Sequence, residues 1–161
     1  MRLEGKVALI SGAARGMGAE EARIFAREGA KVVIGDISEE DGQAVEAQIS
    51  EAGGQALFVR LDVTQENDWT RAVDLAVSRY GKLDILVNNA GISSRSFTDD
   101  TSIDGWDRIM EVNSKGVFLG TRAAVPKMLE AGAAPSLTSL PSWDWWALPA
   151  ATPPITLPKG R

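Results

Sequence analysis

Cysteine and histidine are both absent from the 161 residues. Without cysteine there is no disulfide, no thiolate nucleophile and no Cys-based zinc site. Without histidine there is no Ser-His-Asp triad and no imidazole-ligated metal, so no metal site is expected. Tyrosine occurs once, at Tyr80, and proline only once before residue 131, at Pro126. No apolar run reaches the ~18 residues that a membrane span needs. The start, Met1-Arg2-Leu3-Glu4-Gly5-Lys6, lacks the apolar core of a signal peptide. The expectation is a cytoplasmic chain without a membrane partner. Basic residues are also few: 17 Lys+Arg stand against 22 Asp+Glu, a formal charge of −5. That balance lacks the basic footprint of a nucleic-acid binder.

What is present divides in two. The length suits one domain, and 44% hydrophobic with 24% charged residues is a globular composition. Yet six of the seven prolines and three of the five tryptophans lie in 131–161. That stretch has one acidic residue, Asp144, and no hydrophobic period. We therefore divide the chain into a folded part, 1–132, and a Pro/Trp-rich tail, 133–161, expected to be disordered.

The first part alternates strands and helices. Val7-Ala8-Leu9-Ile10 is a buried strand ending at a glycine-rich turn. Residues 17–29 carry Ala19, Ala22, Phe25 and Ala26 at helical spacing, and Gly29 stops them. Strands follow at 31–35, 56–61 and 83–87, with helices at 38–52 and 66–80 between them. A long helix spans 102 to about 130. Apolar strands separated by helices predict an α/β, Rossmann-like, doubly wound parallel sheet. The expected strand order is 3-2-1-4, truncated after the fourth strand and the long helix.

The turn after the first strand reads Ser11-Gly12-Ala13-Ala14-Arg15-Gly16-Met17-Gly18. Glycines there allow a tight turn and close approach of a pyrophosphate, which the following helix receives on its unpaired N–H groups. Asp36 stands at the end of the second strand, followed by Ile37. A carboxylate there can accept both hydroxyls of an adenosine ribose and repel a 2′-phosphate, which selects NAD over NADP. A solvated or helix-capping carboxylate is the alternative. Arg15 points the other way, since a cation could meet that phosphate.

Three later stretches complete a set: Leu61-Asp62-Val63-Thr64, Asn88-Asn89-Ala90-Gly91 at the end of the fourth strand, and Val112-Asn113 on the long helix. Together with the Gly-x-x-x-Gly-x-Gly turn, they resemble the short-chain dehydrogenase/reductase family over about residues 1–132. The resemblance implies a cofactor set of Gly12, Arg15, Gly16, Met17 and Gly18 in the turn, with Asp36 and Ile37 at the ribose. It further implies Asp62 and Val63 at the adenine, and Asn89, Ala90 and Gly91 against the cofactor. Asn113 is implied as the asparagine that holds a water in the proton relay. The implied chemistry is hydride transfer between NAD(H) and a small alcohol or ketone substrate. The long helix is implied to pack in a dimer interface, which makes intact relatives homo-oligomers. The loop from Ser93 to Thr101 would line one side of the substrate pocket.

The same resemblance implies a serine, a tyrosine and, four residues after it, a lysine that lowers the tyrosine's pKa. All three should follow the long helix, on a fifth strand and its next helix. Tyr80 is on the wrong helix, and residues 131–161 hold no Tyr-x-x-x-Lys and no apolar fifth strand. Ser136, Ser139 and Ser142 sit in no recognisable context. The genetic code suggests why. Read one base earlier, Trp143-Asp144-Trp145-Trp146-Ala147 is forced to become Gly-Leu-Val-Gly. Leu137-Thr138-Ser139-Leu140-Pro141 permits Val-Asn-Ile-Ser-Ser, and Pro154-Ile155 and Pro158-Lys159 permit a tyrosine and a lysine four positions apart. The tail is thus expected to derive from a frameshift near Gly132. Two readings of function remain: an NAD-dependent oxidoreductase, or an inactive NAD-binding fragment lacking the serine, tyrosine and lysine.

Overall fold

The computed structural model describes residues 1–93, 102–132 and 136–139. Of the tail expected to be disordered only 136–139 is described, as a strand; its tryptophans and Ser142, like the loop 94–101, lie outside these residues. In chain order the elements are β1 (Val7–Ser11), α1 (Gly16–Arg27), β2 (Lys31–Asp36), α2 (Glu39–Glu51), β3 (Gln55–Arg60), α3 (Glu66–Tyr80) and β4 (Ile85–Asn88). Then follow α4 (Ile103–Met110), a π-helical turn (Glu111–Lys115), α5 (Gly116–Glu130) and β5 (Ser136–Ser139).

The strands pair in parallel in the order β3-β2-β1-β4-β5. The expected order of the first four holds. Successive side chains on a strand face opposite ways, and both faces of this sheet are covered. Val7, Leu9, Val33 and Leu86 face one core with Trp69, Val73, Ala124 and Met128 from α3 and α5. Ile10, Val32, Ile34 and Val87 face the other, with Ala19, Ala22, Val45 and Ile49 from α1 and α2. That double burial is why these strands read as apolar runs rather than alternations.

Two expectations need correction. The sheet does not stop at the fourth strand: Ser136–Ser139 pairs with β4, Ile85 opposite Ser136 and Asn88 opposite Ser139. Ser-Leu-Thr-Ser has one apolar residue, so hydrophobic pattern could not reveal it. The open backbone edge of β4 recruits it through main-chain hydrogen bonds, which make no demand on side-chain type. The long helix is also not uniform. It passes through a π turn around Asn113, a local widening that occurs preferentially at functional sites. Trp106 and Phe118 along it are about 60% exposed. No helix among the described residues is long and apolar enough to cross a membrane.

Candidate functional site

A cleft of about 580 Å³ opens at the carboxyl ends of β1 to β4. The chain there fans out to either side, β2 and β3 on one side of β1 and β4 on the other. Open α/β sheets bind ligands at such a switch point. Ten of the residues singled out in sequence line the cleft: Gly12, Arg15, Met17, Asp36, Ile37, Asp62, Val63, Asn89, Ala90 and Gly91. Gly16, Gly18 and Asn113 do not line it.

The glycines divide the work. Gly12 has φ +66°, and a Cβ on it would come within 2.7 Å of Ala90 Cα. A Cβ on Gly18 would overlap Asn89 Nδ2 and Gly12 O. These two let the turn pack on the segment after β4. Gly16 has φ +54° and open space where its Cβ would be, so its own need is conformational. It begins α1, whose first turn has neither a side-chain cap nor an acidic residue. The first turns of α2, α3 and α4 all carry acids. The positive end of α1 is thus left to whatever enters from outside.

Asn89 joins the turn to β4. Its Nδ2 donates to Ser11 O at 3.0 Å and to Gly12 O at 2.9 Å. Ser11, buried at the end of β1, accepts from the N–H groups of Asn89 (3.2 Å) and Ala90 (3.1 Å). Sequence reading missed Ser11; its only signal is a hydroxyl closing an otherwise apolar strand. Asn88 is also buried, with its Oδ1 unpartnered among the described residues.

Asp36 accepts from the N–H of Ala14 and from that of Ser38, both at 3.0 Å. The carboxylate therefore braces the glycine turn. Each oxygen keeps a lone pair for a further donor. Asp62 Oδ1 accepts from the Thr64 N–H at 3.0 Å and the Thr64 hydroxyl at 2.7 Å. Trp69 Nε1 donates to Val63 O at 3.0 Å, pinning this segment from below. Both polar atoms of the Asn113 side chain are engaged by the backbone of Ile92, so its side chain acts as a brace. Val112, from the Val112-Asn113 stretch, adds a wall from the π turn, together with Arg108 and Glu111, which no motif announced.

Two charged groups flank the Asp36 end. Arg15 Nη2 lies 2.5 Å from Asp41 Oδ2. The Ser38 hydroxyl and then the Arg15 guanidinium hold the Asp41 carboxyl below its ordinary range. Tyr80 is far from all this. It lies beside Lys31, at the first residue of β2, with Nζ 5.5 Å from the ring centroid. The cleft is at the other end of that strand. Burial raises the pKa of the Tyr80 phenol, with Arg79 opposing it.

Residues 6–136 match the family model for short chain dehydrogenases. The chain is 55% identical over 131 residues to the 3-alpha-(or 20-beta)-hydroxysteroid dehydrogenase of Mycobacterium tuberculosis, covering 81% of this chain and 49% of that protein. It is 50% identical to the 2,5-dichloro-2,5-cyclohexadiene-1,4-diol dehydrogenase LinX of Sphingobium indicum, over 81% of this chain and 52% of that one. It is 48% identical to the cyclopentanol dehydrogenase of Comamonas testosteroni over the same shares. Among solved structures, a short-chain type dehydrogenase/reductase from Mycobacterium marinum superposes with a TM-score of 0.79 at 36% identity. That match covers 84% of this chain and 55% of the other. The chain spans about half the length of the curated relatives it matches. The glycine turn, the Asn-Asn-Ala-Gly segment and the first four strands all lie inside the matched residues, and the chain belongs to the short-chain dehydrogenase family.

Proposed function

We propose that residues 1–132 form the NAD-binding part of an oxidoreductase that transfers hydride between NAD(H) and a small alcohol or ketone. The observation that carries this reading is the cleft itself: one continuous wall from Gly12 through Asp36 and Asp62 to Gly91, at the end of the sheet where the strand order reverses. The polar groups in and beside it suit a dinucleotide. Gly16 presents an open, Cβ-free backbone at the uncapped start of α1, suited to a pyrophosphate. Asp36 offers acceptors to ribose hydroxyls, and Asp62 offers one to an adenine amine beside the apolar Val63. When bound, the nicotinamide ring supplies the hydride acceptor or donor. Asn113 keeps Ile92 in place beside Gly91 and so shapes the cleft rim.

In this reading the 161 residues bind the cofactor without turning it over, because the tyrosine and lysine that would move the hydroxyl proton are not in the sequence. The tail from 133 onward is a frameshifted remnant of the segment that carried them. Isothermal titration of NAD into the full chain tests the binding claim. A charge-assisted hydrogen bond is worth roughly 1.5–3 kcal/mol, so Asp36→Ala should weaken binding roughly 10- to 100-fold. Equal binding by wild type and Asp36→Ala would remove the ribose assignment.

A further inference from the structure

The ribose end of the cleft carries opposed signals. Asp36 disfavours a 2′-phosphate, whereas Arg15 would attract one. One carboxylate beside one guanidinium would nearly cancel, so Asp36 alone does not decide the matter.

The hydrogen bonds around them do. Ala14 and Arg15, consecutive residues of the glycine turn, each reach a different carboxylate. The Ala14 N–H donates to Asp36 Oδ2 at 3.0 Å, and Arg15 Nη2 sits 2.5 Å from Asp41 Oδ2. Ser38 serves both acids. Its N–H donates to Asp36 Oδ1 at 3.0 Å, and its hydroxyl donates to the same Asp41 oxygen that Arg15 meets. Glu40 and Asp36 also act on the guanidinium through space. Arg15 thus meets one carboxylate directly and lies in the field of two more. A phosphate monoester carries about −1.5 to −2 charge at neutral pH. Entering here, it would have to pull Arg15 from Asp41 and leave that acid unpaired next to itself.

We propose that Asp41 is a specificity-determining residue of this cleft. It occupies Arg15, with Ser38 holding it in position, and so selects the dinucleotide whose adenosine ribose bears no 2′-phosphate. The proposal rests on the reading of the cleft as a dinucleotide site. Because the Arg15 side chain is 76% exposed, the pair contributes little to stability. Its effect is on discrimination, where a misplaced like charge is the deciding element.

Titration of the full chain with ADP and with 2′,5′-ADP, at low salt, separates the possibilities. Wild type should prefer ADP. Asp41→Asn should shift the ratio toward 2′,5′-ADP by about tenfold, the scale of one removed charge at a solvated contact. Ser38→Ala should shift it the same way by less. Asp41→Asn combined with Arg15→Ala should return the ratio to the wild-type side. An unmoved ratio in Asp41→Asn, or a gain that survives loss of Arg15, overturns the role of Asp41 while ADP binding keeps the cleft reading. Failure of wild type to bind either probe overturns the dinucleotide reading, and this proposal with it.

Discussion

Asn113 grips Ile92 by both ends of its amide: Oδ1 accepts from the Ile92 N–H and Nδ2 donates to the Ile92 carbonyl, each at 2.8 Å. The two residues are 21 apart in sequence and belong to the π turn and the segment after β4. A side-chain amide therefore stands in for a strand neighbour where the chain leaves the sheet. Asn113→Ala removes both bonds and leaves two part-buried backbone groups unpaired. At about 0.5–1.5 kcal/mol per bond, the expected loss is ~1–3 kcal/mol, read by urea denaturation, with NAD affinity falling alongside. Asn113→Asp should lose nearly as much, because a carboxylate cannot donate to the Ile92 carbonyl.

The glycines of the turn should respond unequally to alanine. Gly18→Ala forces a methyl group onto Asn89 and onto the turn's own backbone, so the turn must move away from β4. Overpacking of this kind costs typically ~1–3 kcal/mol, occasionally more, and here it should also abolish NAD binding. Gly16→Ala meets open space and bears only the strain of a positive φ, about 1 kcal/mol. Thermal melts of the two variants, run side by side, check the order; a more stable Gly18→Ala would contradict the packing described for Asn89.

Acid sensitivity should centre on Asp84. Burial pushes this carboxyl up, but hydrogen bonds from Lys82, the Val7 N–H and Lys6 outweigh it and hold its pKa below the ordinary carboxylate value. The Val7 bond, 2.9 Å long, ties the start of β1 to the segment before β4. A carboxyl with a depressed folded pKa adds stability that is present above its unfolded pKa. That stability disappears as pH falls through the folded value. Asp84→Asn should therefore be less stable than wild type at neutral pH, and the gap should close below about pH 4. Urea midpoints measured from neutral to acid pH test the convergence.

Catalysis should be absent from the 161 residues and recoverable. The full chain, given NAD and a panel of secondary alcohols, should produce no NADH by absorbance. Resequencing the gene across codons 125–161 should show that one base restored near codon 132 opens a frame through Tyr-x-x-x-Lys. The chain expressed from that frame should turn over. A shifted frame that spells no serine, tyrosine and lysine would make the tail genuine and leave its tryptophans without an assigned role.

The linear order of residues was enough for the parallel sheet, because strands buried on both faces must be apolar throughout and the helices between them must carry one apolar face. It was enough, too, for most of the cleft, since the glycines, Asp36, Asp62 and Asn89-Ala90-Gly91 all follow strand ends that the sheet brings to one edge. Four things were decided only in three dimensions. Ser136–Ser139 became a strand because β4 had an open edge, a fact recorded in no side chain of that segment. Ser11 and Ile92 became fixed points because contacts 78 and 21 residues distant reach them. Arg108 and Glu111 joined the cleft because α4 and the π turn lean over it. Asp41 met Arg15 because β2 places the first turn of α2 beside the glycine turn. Local sequence records burial and turn geometry, which are properties of neighbouring residues. Pairing between distant polar groups depends on where the finished sheet carries them, and only the folded chain holds that information.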